Sequence, residues 1–485
     1  MSESGTLLRY ASPNERRTIS REELGFYKAL IVGAVYEIES DGKDLTSSGS
    51  FIAPLKACIL KYPFLSAIVK NKHTEKSAYH EVPTIDLHDH ISILQNDNLE
   101  GDDNSSFEGI LPQILDRPWP AETPPWRIVV LPLASPHGSA ATRCLIVFAF
   151  SHTIGDGMVG VAFHRTFLEA WRQSVRPKEE ESFLINLSGR SLPAPFDTRE
   201  RLTISWKFLL APLVAVYLPK WLASMLGLHA RVSTVDAGTW TGSRSFYDAA
   251  VSNSSRVKIL EIAAPLVEKS LQICRKHDTK LTGALHQMIL RALSKAIPDP
   301  SVTNFVSGTA VDMRKSVGIP ALSWGLYVSG LYAVHQRARN VESPALPDYM
   351  WTDASLITKN LAECSARLYD QAIGLLRYIP SIRNWTLGKV GAERDCSYEV
   401  SNLLAFDDGN SEADQKCHVT KMIFSQPANV PSGPLVFNVI SVKGGSLVCT
   451  VSWQAGALGV PVEEEMPFVE GICSSIREDF ESLQK

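Results

Sequence analysis

The sequence contains eight cysteines but no C-x-x-C pair. Cys58, Cys144, Cys274, Cys364, Cys396, Cys417, Cys449 and Cys473 are scattered, several inside apolar runs. That excludes a clustered thiolate metal site or a redox motif and points to buried free thiols rather than a disulfide framework. There is no excess of one charge either. Lys and Arg total 48 against 52 Asp and Glu, a net −4, so no nucleic-acid partner is expected. That balance still leaves room for a local basic pocket. G-x-x-x-x-G-K-[ST], a G-x-G-x-x-G after a strand, and G-x-S-x-G are all missing. Phosphoryl transfer, hydride transfer and a nucleophile elbow therefore have no support. Met1 to Gly5 shows no positive region leading into an apolar stretch, so no signal peptide is expected. The chain is expected to be cytoplasmic and monomeric.

Long apolar runs are scarce. The richest, 206–228, has only 12 uncharged residues between Lys207 and Lys220, and Pro212 and Pro219 interrupt it. A membrane span needs about 18 or more. The segment reads as one or two short apolar helices, packed on the core or lying at an interface. In the second case they would allow peripheral association with an endoplasmic-reticulum or lipid-droplet surface. Trp206, Trp221 and Trp240 read primarily as core residues.

What is present is a globular composition: 485 residues, 45% hydrophobic and 21% charged. That length suggests two or three domains, or two halves around a large core. The pattern divides as 1–200, an apolar linker at 201–245, and 246–485. In the first part a helical pattern spans Arg21 to Tyr27, followed by an apolar run from Ala29. A helix carries Ile52, Leu55 and Ile59. Pro63 ends it before an expected strand, 64–69. Residues 96–106 read as a surface loop and 174–202 as a polar linker. Trp126–Leu133 and Leu145–Ser151 read as adjacent buried strands. In the second part, Leu285, Ile289 and Leu293 recur at i, i+4 in a helix over 281–297, and another is expected over 354–376. Strands are expected at 400–406, 422–424, 435–442 and 447–453. Residues 51–69 and 281–307 can be read as corresponding units of two similar halves. The class is α/β or α+β with mixed sheets.

The sharpest feature is His152-Thr153-Ile154-Gly155-Asp156-Gly157, between a buried strand and a helix with a broad apolar face through Phe163, Phe167 and Trp171. A neutral imidazole at a strand end suits a general base. Flanking glycines let backbone approach a ligand. His88-Asp89-His90 with Asp86 has too few ligands nearby for a closed zinc site. His164 and His286 lie on apolar helices and read as core histidines.

Beyond the motif, Ile146 to Gly157 resembles the strand-plus-HxxxDG unit of the fungal and yeast alcohol acetyltransferases. That family belongs to the chloramphenicol-acetyltransferase-like superfamily. Val311-Asp312-Met313-Arg314 resembles the family's DxR segment, Ser401 to Asp407 its SNLG-F-D segment, and Val451-Ser452-Trp453-Gln454 also fits. The segments keep the family's order over nearly the whole chain. The family glycine is Leu404 here, and the DFGWG segment of plant relatives has only a partial echo in Ser323-Trp324-Gly325.

The resemblance implies two half-domains with an active-site tunnel between them. Acyl-CoA, most simply acetyl-CoA, would be a co-substrate, with no permanently bound cofactor and no metal. His152 would act as general base in direct transfer to a small-molecule acceptor. Asp156 would pair with Arg314 and be structural, and Gly157 would support the loop. Ser401, Asn402, Trp324 and Ser323 are the candidate oxyanion or substrate-binding groups. The expected activity is O-acetylation of a lipophilic alcohol or a hydroxylated secondary metabolite. An amine acceptor, carrier-delivered condensation, a pericyclase and a non-catalytic binder on the same fold are the alternatives.

Overall fold

The computed structural model describes residues 5–39, 44–95, 102–135, 141–173, 182–225, 235–250, 254–409 and 417–483. Two large mixed sheets form its frame. A five-stranded sheet runs Cys417–Ser425, Leu30–Ile38, Thr142–Phe150, Trp126–Leu133, Ile91–Ile93. A six-stranded sheet runs Ser255–Ile262, Leu447–Gln454, Leu435–Val442, Tyr398–Phe406, Asn304–Asp312, Val328–Gln336. Strands Leu30–Ile38, Trp126–Leu133 and Thr142–Phe150 are almost wholly buried. Their sequences accordingly run apolar without alternation.

The sheets do not divide at one point of the chain. Cys417–Ser425 pairs antiparallel with Leu30–Ile38, with Met422 opposite Ala34. The chain then returns to the six-stranded sheet at Leu435. Alternation marked this segment as a strand, but a period of two carries no information about which sheet receives it. Each sheet covers its own apolar cluster. A third cluster joins them, bringing Ile31, Val147 and Ile423 together with Val257, Ile259 and Val448.

Several expectations shift locally. The first helix is Pro13–Glu23, earlier than its apolar pattern suggested, because Ser12 and Glu15 form a reciprocal capping box. Phe64 to Ser66 is 3₁₀, and the strand is only Ala67–Lys70, in a three-stranded sheet with Ala78–Glu81 and Thr6–Tyr10. That location differs from the counterpart expected in the second half, Asn304–Asp312, which is central to the six-stranded sheet. Residues 96–101 lie outside the described residues. The rest of the expected 96–106 loop enters a helix, Asp103–Asp116, because the Asp102 carboxylate caps Ser105 N–H. The helix expected over 354–376 is Asp348–Ala366 followed by a 3₁₀ segment, Ala372–Tyr378. Within the expected 174–202 linker, 174–181 lie outside the described residues and Leu184–Asn186 pairs with Thr84–Asp86.

The apolar segment forms two helices, Trp206–Tyr217 and Lys220–Met225. Trp206 and Trp221 are 76% and 69% exposed, which overturns the core-packed reading for both. Trp240 does pack, beside Phe305 and Phe468. Among the described residues, no helix is long and apolar enough to cross a membrane. All eight cysteines are buried and unbridged.

Candidate active site

His152 leaves the end of strand Thr142–Phe150 at the mouth of a turn that the surrounding chain holds rigidly. Ser151 Oγ donates to Glu22 and Thr153 N–H to Ser151 Oγ at 3.0 Å. Tyr79 O–H donates to the Thr153 carbonyl at 2.7 Å, and Trp324 Nε1–H to the Ile154 carbonyl at 2.8 Å. The His152 Nδ1 lies 2.8 Å from the Gly155 carbonyl. A carbonyl only accepts, so Nδ1 carries the proton and Nε2 keeps a free lone pair. The Tyr27 ring packs 5.5 Å from the imidazole, and Tyr27 O–H is fixed on Gln426 Oε1 at 2.8 Å. Burial and then the nearby Arg17 cation push the His152 pKa down to about 3, with a further contribution from Arg21.

Asp156 turns away from that imidazole. Its Oδ1 accepts from Arg314 Nη2 at 2.8 Å and Met158 N–H at 3.1 Å, and its Oδ2 from Tyr327 N–H at 2.8 Å. Arg314 also donates to the Ser323 carbonyl, to Asp312 and to the Gly325 carbonyl. Its ionised form is favoured despite burial, because two carboxylates face it. The cluster ties the loop after His152 to the segment after strand Asn304–Asp312, across the two halves. Helix Gly157–Gln173 begins at the next residue. A Cβ on Gly157 would fall 2.6 Å from Leu403 Cδ2 and 3.3 Å from Phe424 Cζ. Glycine here permits the helix start to sit against strands Tyr398–Phe406 and Cys417–Ser425.

His152, Asp156 and Gly157 border a cavity of about 750 Å³, which Gly308 to Ala310, Val328 to Gly330 and Phe424 also line. That size suits a small-molecule site. Ser401 is on its wall. Asn402, Ser323 and Trp324 are not. Asn402 Nδ2 donates to Thr282 Oγ1 and its Oδ1 accepts from Leu404 N–H. Trp324 spends its single N–H on Ile154 and packs on Tyr62 at 4.4 Å. Leu404 holds φ 64°, a left-handed conformation that favours glycine.

The wall also contains groups that no local pattern marked: Arg17, Arg21, Tyr332, Glu399 and Gln426. Arg17 precedes the helical pattern expected from Arg21 to Tyr27, and nothing in the sequence marked either arginine as a site residue. His88 and His90 take separate partners, Asp86 and the Trp126 carbonyl. His164 bonds Tyr36 O–H and the Val32 carbonyl, and His286 bonds Tyr398 and Thr309. Among the described residues, no group of three or more acidic, His or Cys side chains is gathered for a metal.

The alcohol acetyltransferase family profile matches residues 15–470. An uncharacterised protein of Schizosaccharomyces pombe, C18B11.03c, is 24% identical over 90% of each chain. The probable alcohol acetyltransferase crmB of Aspergillus fumigatus is 21% identical over 97% of this chain and 98% of that one. In structure, the trichothecene 15-O-acetyltransferase TRI3 of Fusarium sporotrichioides aligns over 98% of both chains, with a TM-score of 0.65 at 12% identity. That last likeness establishes the fold, two chloramphenicol-acetyltransferase-like halves in mixed α/β form. The profile match runs through both halves and the loop of His152, and the chain therefore belongs to the alcohol acetyltransferase family and is an acyltransferase.

Proposed function

We propose that the protein transfers the acetyl group of acetyl-CoA to the hydroxyl of a lipophilic alcohol or hydroxylated secondary metabolite. The observation that carries this is the His152 imidazole. It has Nδ1 locked on Gly155 and Nε2 free, and it borders a cavity large enough for a small acceptor. The acceptor O–H approaches Nε2, and its oxygen attacks the thioester carbonyl as the proton moves to the imidazole. The new C–O bond forms, the C–S bond breaks, and the imidazolium returns its proton to the departing thiolate. The products are an acetate ester and CoA, with no covalent acyl-enzyme.

The depressed His152 pKa keeps the imidazole unprotonated and ready through the neutral range. Ser401 is the side-chain donor placed to meet the developing oxyanion. Ser401 lines the cavity, whereas Asn402 and Trp324 are engaged elsewhere. Asp156 acts on geometry: its three donors fix the turn that aims His152. CoA release and product mass, followed by mass spectrometry with a panel of alcohols and amines, test the reading. His152→Ala is expected to abolish acceptor-dependent release with the thermal midpoint kept within a few degrees. Release that persists in that variant would exclude His152 as the base, and an amide product would replace the hydroxyl by an amine.

A further inference from the structure

Six charged side chains lie on helix Pro13–Glu23. Four are ion-paired. Glu15 meets Arg9, Arg16 meets Glu75 and Glu22 meets Lys72, each at 2.7 Å, and Glu23 meets Arg383 at 2.8 Å. The other two, Arg17 and Arg21, are the ones on the cavity wall. Neither joins an ion pair among the described residues. Arg17 Nε donates to Asn14 Oδ1 at 3.2 Å and Arg21 Nη2 to Asn429 Oδ1 at 3.4 Å, both neutral amides. Like charges four apart on a helix repel, and a desolvated cation without a counter-charge is unfavourable. Burial and Arg21 together pull the Arg17 pKa down to about 10. Glu399 also lines the cavity, but burial raises its carboxyl pKa and weakens it as a counter-ion, and Asp395 is taken by Lys389. The wall also bears Lys389, which holds Asp395, and the exposed Glu393, and neither pairs with Arg17 or Arg21, so the two guanidiniums have room for a further negative charge.

Resting on the acyl-transfer reading above, we propose that Arg17 and Arg21 bind an anionic group of the acceptor, so that the acceptor class is a hydroxy acid. Its hydroxyl would reach His152 and its carboxylate the two guanidiniums. The spacing favours the acceptor over CoA as the source of the anion. The Arg21 Cζ stands 5.8 Å from the Tyr27 ring centre, and that ring stands 5.5 Å from the imidazole. A CoA phosphate held there would require the pantetheine arm to double back on its own thioester. Leu376 and Ile379 supply apolar wall for the carbon chain. The anion would also offset the field that depresses His152, strengthening the base only when the right acceptor is bound.

The test uses ω-hydroxyoctanoate and ω-hydroxydodecanoate, each as the acid and as its methyl ester. Calorimetric binding is measured on the parent protein, on His152→Ala, and on Arg17→Gln and Arg21→Gln singly and combined. At least one acid is expected to bind about tenfold or more tightly than its ester to the parent and to His152→Ala. The preference should collapse in the combined variant and survive in part in each single variant. Replacing unpaired cations should leave the thermal midpoint unchanged or raised, so a folded variant is expected. Acids binding no better than esters, including no binding of either, would overturn the proposal. So would a raised KM for acetyl-CoA with the acid preference intact, since the anion would then be CoA's. Acid-selective binding without acetyl transfer would leave the anion site standing and defeat the acyl-transfer reading.

Discussion

Arg314, which holds Asp156 behind the cavity, and Arg17, on the cavity wall, are both guanidiniums, and the protein treats them in opposite ways. Arg314 faces Asp156 and Asp312 and two backbone carbonyls, so its charge is favoured in a buried place. Arg17 is buried and faces another arginine and an amide oxygen, so its charge is disfavoured. The first arrangement is complete in itself and clamps the halves together behind His152. The second is incomplete, and its missing partner lies on the ligand side. Burial alone does not tell structural from ligand-facing cations here; the presence or absence of a counter-charge does.

Acid should separate the two most strongly. His152, His90, His164, His286 and His335 all have depressed pKa values, near 3 or 4, with burial as the leading cause. In the unfolded chain they titrate near 6.5. Below that pH the unfolded state binds more protons than the fold does, so stability is fully present above about 6.5. It is lost as pH falls towards 4, by about 1.4 kcal/mol per pH unit for each group. Urea midpoints at pH 7, 6 and 5 should fall steadily. His152 protonation would add a third cation beside Arg17 and Arg21, and its NMR titration should move upward in the combined Arg17→Gln, Arg21→Gln variant. A flat midpoint would mean that these imidazoles titrate in the fold as they do in the unfolded chain.

At the paired cation, Asp156→Ala should destabilise by about 3–5 kcal/mol. It leaves Arg314 with only the half-exposed Asp312 and strands the Tyr327 N–H. The matched change at the other site, Arg17→Gln, should cost nothing. Equal losses in chemical denaturation would erase the distinction between a clamp and a receptor.

How much of this was legible in the sequence follows the range of each interaction. The His152 to Gly157 turn is local, so its motif and flanking strand and helix were readable directly. Arg314 came from the resemblance, because 158 residues separate it from Asp156. The pairing of Cys417–Ser425 with Leu30–Ile38 was unreadable, since alternation gives a strand and not its neighbour. Trp206 and Trp221 misled because apolar composition does not say whether a helix finds a partner. Arg17 and Arg21 were invisible as a site because Arg16, beside them and chemically identical, is an ordinary surface ion pair.

Leu404 gives the smallest effect and the finest test of the loop that carries Ser401. The residue stands at φ 64°, a conformation that disfavours a non-glycine side chain by roughly 1–2 kcal/mol. Its side chain is 65% exposed, so little packing would be lost on removal. The shape is imposed from outside the residue, by the Asn402 side chain accepting Leu404 N–H at 2.8 Å and by the bulge between Asn402 and Ala405. Leu404→Gly would relieve the strain and loosen the unfolded chain, two terms of opposite sign of which the strain is the larger. A net gain of about 0.5–1 kcal/mol is expected in urea denaturation, with turnover unchanged. A loss of stability would mean that leucine contributes contacts there that outweigh its backbone strain. A loss of turnover without a loss of stability would mean that the stiffness of leucine is what aims Ser401 at the cavity.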